Sequence, residues 1–363
     1  MAIVINGSGT VTGLAVGGLP DGTVDEGTLA TDSVTAAKIP ASLENTFVSG
    51  RKNLIINGAM NVAQRGTSQT AGGYGSLDRW RLALSGATAT LSQETFTVGQ
   101  TDVPNEPENY MKLNVTTGDN NCGFEHRVEN VRSVVGVHTL SFWAKGVNPA
   151  GGEVTVKGEQ RFDNATDEVQ ITGDEITLTT SWQKFTISMT PTSLTGTGTP
   201  GASSYVRLQF LQPTGDTGTA AWNINIAQVQ LERGSVATDF EHRSYGEELA
   251  LCQRYYYLLG QGTNTNTGDI GIGSYYNSSS LDVAVQFPST MRATPTLDAT
   301  SGTNYYVSFR NNGADYFNSF SIAKGSSTVV QIGNNSEASG TGGQATVIRY
   351  NSASASIGFD AEL

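Results

Sequence analysis

The three histidines, which are the side chains best suited to acid–base or metal chemistry, lie far apart in this chain of 363 residues. His126, His138 and His242 belong to no His-Glu-x-x-His or similar pair, so their spacing indicates structural or surface histidines. No Gly-x-Ser-x-Gly turn presents a serine nucleophile, and the glycines precede strands rather than helices. The sequence therefore predicts no catalytic residues, no cofactor and no metal site.

Acidic residues cluster in two stretches, Asp163 with Asp167 and Glu168, and Asp174 with Glu175. Paired carboxylates can hydrolyse glycosides when they flank a cleft, and loop carboxylates can hold a structural calcium ion. Neighbours within a loop do not by themselves form a cleft, and neither stretch has the spacing of an EF-hand loop. We interpret both stretches as a solvated acidic rim.

Aromatic residues occur at adjacent positions in the C-terminal part of the chain. Neighbouring side chains in a strand point to opposite faces, so each doublet places one ring outward among Asn, Ser and Thr residues. Such rings can stack on sugars, or they can pack against a neighbouring subunit or loop. The candidate glycan contacts are Tyr275, Tyr276, Tyr305, Tyr306 and Tyr316.

Composition predicts an all-β protein. The chain has 43 glycines and only 15% charged residues, and short apolar alternations between turn-forming clusters recur from Leu54 onward. The net charge of −12 argues against nucleic acid and anionic membrane surfaces as partners. No apolar run approaches the ~20 residues of a membrane span, and residues 1–20 lack the pattern of a secretory signal.

Two cysteines, Cys122 and Cys252, are too few for a disulfide framework in a chain of this length. We interpret them as small buried residues. A single disulfide remains open, although the spacing gives it no support.

The N-terminal segment has a large aliphatic residue at every fifth position. This period matches neither the ~3.6-residue repeat of a helix nor the two-residue repeat of a strand. One apolar side chain per repeat cannot bury itself in an isolated chain, whereas copies wound around a common axis would bury these side chains together. The alternative is a disordered Gly/Thr-rich leader with accidental spacing. We predict an extended oligomeric stalk over residues 1–52, with the candidate core Leu14, Leu19, Val24, Leu29, Val34 and Ile39.

Two β-regions follow the predicted stalk. Many strands without helical breaks over residues 53–243 predict a jelly-roll β-sandwich. Residues 244–363 are expected to form a short helix and a smaller C-terminal β-sandwich. The helix is predicted over 246–259 with Ser244 as its N-cap, although 255–259 could equally begin a strand. The predicted strands are 53–56, 79–85, 110–115, 139–144, 153–161, 184–189, 205–211, 222–231, 281–287, 305–310, 319–323, 328–332, 345–350 and 355–359.

Several sequence blocks resemble tail-fibre and receptor-binding proteins of tailed bacteriophages. The most specific are FEHRSYGEEL (240–249) and CQRYY (252–256). The others are TDSVTAAKI (31–39), NLIINGAMNVAQRGTS (53–68), DRW (78–80), HTLSFWAK (138–145), QVQLERG (228–234) and FPSTMRATP (287–295). The blocks look like fold determinants, so the resemblance assigns no binding residues. The N-terminal part is shorter than in such fibres, which leaves the mode of attachment to the virion open.

The resemblance implies a virion component, usually a homotrimer, with jelly-roll domains similar to carbohydrate-binding modules. We therefore expect a trimeric phage tail fibre, made in the host cytoplasm and located in the virion, that recognises a host polysaccharide or lipopolysaccharide during adsorption. Expected partners are further copies of the chain and, through residues 1–52, other virion tail proteins. We expect no enzymatic activity, no cofactor, no nucleic acid and no membrane insertion.

Two rival functions are a structural head-fibre or decoration protein without receptor binding, and a tailspike depolymerase. Tailspikes usually contain a long parallel β-helix, and the chain has no regular coil repeat of that kind. Because the stalk is at the N-terminus, we expect receptor contact in residues 260–363.

Overall fold

The computed structural model describes residues 4–5, 11–12 and 51–363, except residues 120, 164–167, 192–197, 214–217, 265–267 and 312. The chain divides into two compact units, Met1–Gly50 and Arg51–Leu363. In the first unit, β1 (Val4–Ile5) and β2 (Val11–Thr12) pair antiparallel. The predicted stalk core lies outside the described residues and stays a prediction: Leu14, Leu19, Val24, Leu29, Val34 and Ile39.

The first sandwich of the second unit consists of a five-stranded and a six-stranded antiparallel sheet. Its strands are β3 (Ser68–Gln69), β4 (Trp80–Ala83), β5 (Thr88–Thr95), β6 (Asn109–Thr117), β7 (Gly123–Glu129), β8 (His138–Val147), β9 (Val154–Arg161), β10 (Glu168–Ile176), β11 (Gln183–Met189), β12 (Tyr205–Leu211) and β13 (Trp222–Arg233). A 3-10 helix, Val131–Ser133, follows β7. The strand orders are β10-β9-β12-β7-β4 and β11-β8-β13-β6-β5-β3. From β6 onward the chain passes repeatedly between the two sheets, as in a jelly roll.

Alternating side chains of both sheets fill the first core. Phe124 on β7 stacks on Phe210 of β12 at 4.8 Å, and Phe210 meets Phe142 of the opposite sheet edge to face at 5.1 Å. All three rings are fully buried. Because the period along a strand is two, the residues between them point away from this core and form the outer faces.

The second sandwich has a separate core and pairs a three-stranded sheet with a seven-stranded sheet. Its elements are α1 (Tyr245–Gln253), β14 (Tyr256–Gln261), β15 (Asp269–Tyr275), β16 (Leu281–Gln286), β17 (Thr296–Ala299), β18 (Tyr306–Arg310), β19 (Gly313–Phe317), β20 (Ser321–Gly325), β21 (Val329–Asn334), β22 (Ala345–Tyr350) and β23 (Ser356–Asp360). The strand orders are β14-β23-β17 and β19-β18-β22-β15-β16-β21-β20. The predicted all-β sandwich class is confirmed. No helix among the described residues is long and apolar enough to cross a membrane.

The predicted helix begins as expected but is shorter. The hydroxyl of Ser244 accepts a hydrogen bond from the backbone N–H of Glu247 at 3.4 Å, so Ser244 is the N-cap. Of the two alternatives left open for residues 255–259, the strand is the one that forms, because Tyr256–Gln261 is β14 and pairs with β23. The hydrogen bonds of the β-ladder replace helical ones, and Tyr256 becomes a buried strand residue.

The sequence pattern missed several strands, including β5, β7 and β10, and predicted one that does not form. Polar residues hide the alternation in these strands. In β7 and β10 they belong to the charged outer face of the five-stranded sheet (β7 carries Glu125 and Arg127). Residues 53–56 are irregular rather than a strand. There the Asn53 side chain accepts a hydrogen bond from the backbone N–H of Leu231 at 3.1 Å and donates one to the Val229 carbonyl oxygen at 3.1 Å. This side chain holds the segment against β13 in place of a strand ladder.

Buried charges and rings join the two cores. The Arg79 side chain is fully buried, pairs with Glu362, and lies over the Tyr255 ring. Arg65 also reaches Glu362, at 3.4 Å, and its guanidinium lies 3.5 Å from the centroid of the Tyr256 ring. Four of these residues belong to the blocks quoted above, which explains why the blocks look like fold determinants.

Candidate functional site

A groove of about 440 Å³ lies on the outer face of the five-stranded sheet. Every strand of the sheet contributes to it, because directly opposed residues of antiparallel strands point to the same face. In register, Arg81 on β4 opposes Glu125 on β7, Arg207 on β12 opposes Glu159 on β9, and Glu159 opposes Gln170 on β10. The lining therefore offers both hydrogen-bond donors and hydrogen-bond acceptors across the sheet.

Three guanidinium groups surround the Glu125 carboxylate, whose side chain is only 1% exposed. The Oε1 atom lies 3.2 Å from Nη1 of Arg81 and 2.7 Å from Nη2 of Arg127. The Oε2 atom lies 3.5 Å from Nη1 of Arg207. This carboxylate is buried beneath the groove floor and fully compensated in charge.

The second buried carboxylate, Glu159, has a similar environment. It pairs with Arg207, accepts a hydrogen bond from Nε2 of Gln170 at 3.0 Å, and lies 3.1 Å from Nη2 of Arg161. Burial alone would raise the pKa of Glu159. A hydrogen bond shared with Glu168, the charge and hydrogen bond of Arg207, and the charge of Arg161 outweigh burial and hold this pKa below its usual value. Arg207 thus bridges the two buried carboxylates.

We refer to Arg81, Glu125, Arg127, Arg207, Glu159 and Arg161 as the charged array. Its members fix one another's orientation, so it presents donors and acceptors in set positions at the sheet surface. Lys157 also lines the groove and forms no ion pair with the described residues. A glycosidase needs one carboxyl group with a raised pKa as its general acid. The lowered pKa of Glu159 suits binding rather than proton donation.

Two of the five candidate tyrosines are core residues, which corrects the expectation that they contact a glycan. Tyr275 is 1% exposed and its hydroxyl lies 2.6 Å from that of Ser308. Tyr306 is fully buried and donates to the Thr300 carbonyl oxygen at 2.6 Å. Their rings fill the second core, so neither presents a face to a ligand.

The other three candidate tyrosines are not brought together into one site. Tyr276 is 80% exposed just after β15, Tyr316 is 44% exposed on β19, and Tyr305 is partly buried just before β18. In the seven-stranded sheet, β18 and β22 lie between β19 and β15. At ~4.8 Å per strand, Tyr316 and Tyr276 are therefore about 14 Å apart across the sheet.

The residues of the two acidic stretches lie partly on a strand rather than in loops. Glu168, Asp174 and Glu175 lie on β10, and Glu168 pairs with Arg161 at 2.5 Å. Asp163 accepts a hydrogen bond from the Ser203 backbone at 3.0 Å. Asp167, which also belongs to the first acidic stretch, lies outside the described residues.

The histidines and cysteines do not form a reactive cluster in the part of the chain that the structure describes. His126 and His138 are buried, and each donates to a backbone carbonyl oxygen at 3.0 Å, whereas His242 is exposed. Cys122 and Cys252 are buried and unpaired, as interpreted. Burial raises the pKa of the Cys122 thiol to about 11. Within the described ranges, no group of three or more His, Cys, Asp or Glu side chains could hold a metal ion.

The charged array was missed at the level of sequence, although a signal for it exists. Charged residues recur at every second position in β7 (Glu125, Arg127) and in β9 (Lys157, Glu159, Arg161). This spacing places them on one face of each strand. Which strands lie side by side, and hence which charges pair, depends on the sheet order.

No protein-family model matches this chain, and no curated protein matches it. Several solved structures are similar to part of it. Carbohydrate-binding modules of the β-sandwich superfamily match with a TM-score of 0.29 and 14% identity over 45% of this chain and 61% of that one. The family 11 carbohydrate-binding module of Lic26A-Cel5E from Clostridium thermocellum matches with 0.29 and 14% over 47% and 97%. A domain of bacteriophage CBA120 tailspike protein 4 matches with 0.31 and 14% over 50% and 21%. At such low scores, these similarities are no basis for inferring the ligand of this chain.

Proposed function

We propose that this chain is a non-enzymatic, glycan-binding fibre protein of a tailed bacteriophage, and that the groove on the five-stranded sheet is its saccharide site. The observation that carries the site is the charged array, which holds carboxylates, guanidinium groups and an amide in fixed positions. Sugar hydroxyls both donate and accept hydrogen bonds, so they match a lining that offers both kinds of partner. Because the array is already ordered by its own ion pairs, a ligand loses little side-chain entropy on binding.

The size of the groove favours a short saccharide. The volume of about 440 Å³ lies within the ~300–1,000 Å³ of small-molecule sites. Each of the four arginines of the array pairs with Glu125, Glu159 or Glu168, and Lys157 adds a further positive charge. These donors and acceptors can bind the hydroxyl groups of such a saccharide.

The virion role rests on the sequence resemblance to phage fibres. In a homotrimer located in the virion, three weak sites would act together and raise avidity well beyond that of one site. The predicted stalk would attach the trimer to other tail proteins. A structural head-fibre or decoration protein would have the same fold, but its charged array would only support the sheet and would bind no glycan.

Blocking the groove tests the proposal. Ser85 is exposed at the groove edge, so Ser85→Trp should fill part of the groove without disturbing the buried ion pairs. We expect the purified wild type to bind members of an array of bacterial surface polysaccharides, and Ser85→Trp and Lys157→Ala to weaken that binding about tenfold or more. Ser301→Trp, at an exposed position of the second sandwich, is the matched control.

Three results would contradict the proposal. Equal binding by wild type and Ser85→Trp would exclude the groove as the site. Release of reducing ends from any bound polysaccharide would instead indicate the depolymerase. Wild-type protein that binds nothing on the array or on host cells would favour the decoration protein.

A further inference from the structure

Three aromatic rings form a partly exposed platform on the outer face of the six-stranded sheet, opposite the groove. Phe96 follows β5, Tyr110 lies on β6, and Trp182 precedes β11. The ring centroids lie 4.8 Å apart for Phe96 and Tyr110, 5.2 Å for Phe96 and Trp182, and 5.5 Å for Tyr110 and Trp182. We call these three residues the aromatic platform.

The Trp182 ring reaches across the sheet from β11 to the rings of Tyr110 and Phe96. In the strand register, Met111 on β6 pairs with Ile226 on β13, so Tyr110 lies level with the next residue of β13, Ala227. Ala227 in turn opposes Trp143 on β8. The chain covers the other half of this face. There the segment 234–243 is held by hydrogen bonds from the backbone N–H of Thr238 to Glu232 and from that of Glu241 to Gln230, both at 2.8 Å. The half with the aromatic platform has no such cover among the described residues.

Three lysines surround the aromatic platform without ion pairs to the described residues. Lys145 lies with its Nζ atom 5.0 Å from the centroid of the Trp182 ring. Lys145 and Lys112 are both in register with Asn225, so the three side chains form one row across the sheet. Lys184 opposes Trp143 and is exposed.

Acidic groups on this face include Glu94, which accepts a hydrogen bond from Ser92 at 2.7 Å, and Asp239, which lines a pocket together with Lys184. Lys112 and Lys145 form no ion pair with the described residues, in a chain whose net charge is −12. In the groove, by contrast, each arginine of the array faces a carboxylate. The two faces of the same sandwich therefore differ in whether their cationic groups are already paired with carboxylates.

We propose that the aromatic platform is a second saccharide site, selective for polysaccharides whose sugar rings carry carboxylates. The apolar face of a sugar ring can stack on Trp182 and Tyr110, while ammonium groups of Lys145 and Lys112 pair with the carboxylate. A protein partner fits less well, because lysine is depleted at the centre of protein–protein interfaces. The inference extends the proposed glycan binding to a different face, and it can be tested separately from the groove.

The experiment compares carboxylated bacterial capsule polysaccharides with their carboxyl-reduced forms, immobilised on the same array. We expect the wild type to retain the carboxylated form about tenfold better, and added salt to weaken this preference. Trp182→Ala should lose the binding. The double variant Lys112→Gln with Lys145→Gln keeps the rings and should lose only the preference for the carboxylated form.

Matched controls separate this site from the groove and from general charge effects. Lys324→Gln and Tyr245→Ala change an exposed lysine and an exposed tyrosine outside the first sandwich and should leave the preference intact. Ser85→Trp blocks the groove and should also leave the preference for the carboxylated form intact. The experiment can therefore distinguish a wrong assignment of the groove from a wrong assignment of the aromatic platform.

The proposal is overturned if the reduced forms bind as well as the carboxylated ones, or if no carboxylated form binds. It is also overturned if Trp182→Ala binds like the wild type. If Trp182→Ala instead lowers the oligomeric mass in solution, the aromatic platform is an interface between copies and not a saccharide site.

Discussion

The guanidinium carbon of Arg79 lies 3.5 Å from the centroid of the Tyr255 ring, and this contact links the two β-sandwiches. Arg79 is fully buried and pairs with Glu362, which is itself 5% exposed. The ring covers a charge that would otherwise be costly to bury, and the carboxylate neutralises it. A single side chain thus couples the packing of the first sandwich to the C-terminal strand region of the second.

Replacing Arg79 should destabilise both sandwiches together. Arg79→Ala removes the main cationic partner of buried Glu362 and should lower the free energy of unfolding by about 3–5 kcal/mol. Urea denaturation followed by tryptophan fluorescence would measure the change. The control Arg132→Ala removes an exposed arginine and should change the free energy of unfolding by less than about 0.5 kcal/mol. Similar midpoints for the two variants would show that the buried pair is not important for stability.

Acid should destabilise the fold through His126. Burial and the charges of Arg79 and Arg243 hold the pKa of His126 well below 6.5. Below about pH 6.5 the unfolded imidazole takes up a proton that the folded one does not, so the unfolded state binds more protons and stability falls as the pH drops.

The expected loss of stability from His126 grows as the pH falls from 6.5 to 5. It can be measured as the difference in pH dependence between wild type and His126→Gln, which keeps a donor for the Ile56 carbonyl oxygen. His138, with its lowered pKa, and Asp78, with a pKa raised by burial to about 6, contribute equally to both proteins and cancel. Parallel pH profiles for the two proteins would contradict the prediction.

Two glycine substitutions should have opposite effects. A Cβ at Gly123 would lie 1.9 Å from the Phe210 carbonyl oxygen on the paired strand, so Gly123→Ala should cost about 1–3 kcal/mol through forced backbone shifts. Gly246 has open space around its Cβ position and lies in α1. Gly246→Ala should therefore stabilise by about 0.5 kcal/mol. Thermal unfolding would rank the three proteins, and a stable Gly123→Ala variant would mean that β7 and β12 can separate locally.

The tyrosine doublet positions should differ sharply in their contribution to stability. Tyr306→Ala empties a fully buried site and should cost about 3–5 kcal/mol. Tyr276→Ala alters a side chain that is 80% exposed and should change stability by less than about 0.5 kcal/mol. Chemical denaturation of the two variants would test the assignment, and a destabilised Tyr276→Ala variant would point to a contact with another subunit.

The stalk prediction can be tested by limited proteolysis of the intact assembly. Leu29→Asp would bring like charges together where the chains meet and should expose residues 1–52 to protease, because unpaired buried charges are costly. Thr31→Asp, between two candidate core positions, should be tolerated because it would face solvent. Equal protection of the two variants would mean that the five-residue spacing is accidental.

The sequence alone determined the all-β class and most strands of the two sandwiches. Alternation with a period of two is a local property, so segments such as 184–189 and 281–287 could be recognised without knowing their neighbours. The sequence also located the N-cap of α1, because Ser244 and the acidic residues that follow it act within the first turn of the helix. The aromatic doublets correctly implied that Tyr275 and Tyr276 differ in exposure, because that too follows from the local strand geometry.

Only the tertiary structure decided which residues form the candidate sites. The groove requires β4, β7, β12, β9 and β10 to lie side by side, an order that brings Arg81 and Glu159 together from distant parts of the chain. The aromatic platform likewise depends on Trp182 crossing the sheet to reach Tyr110. The assignment of α1 and β14 was settled by pairing with β23, nearly a hundred residues away in sequence. Strand order is set by long-range hydrogen bonding and core packing, and neither leaves a signal in the spacing of neighbouring residues.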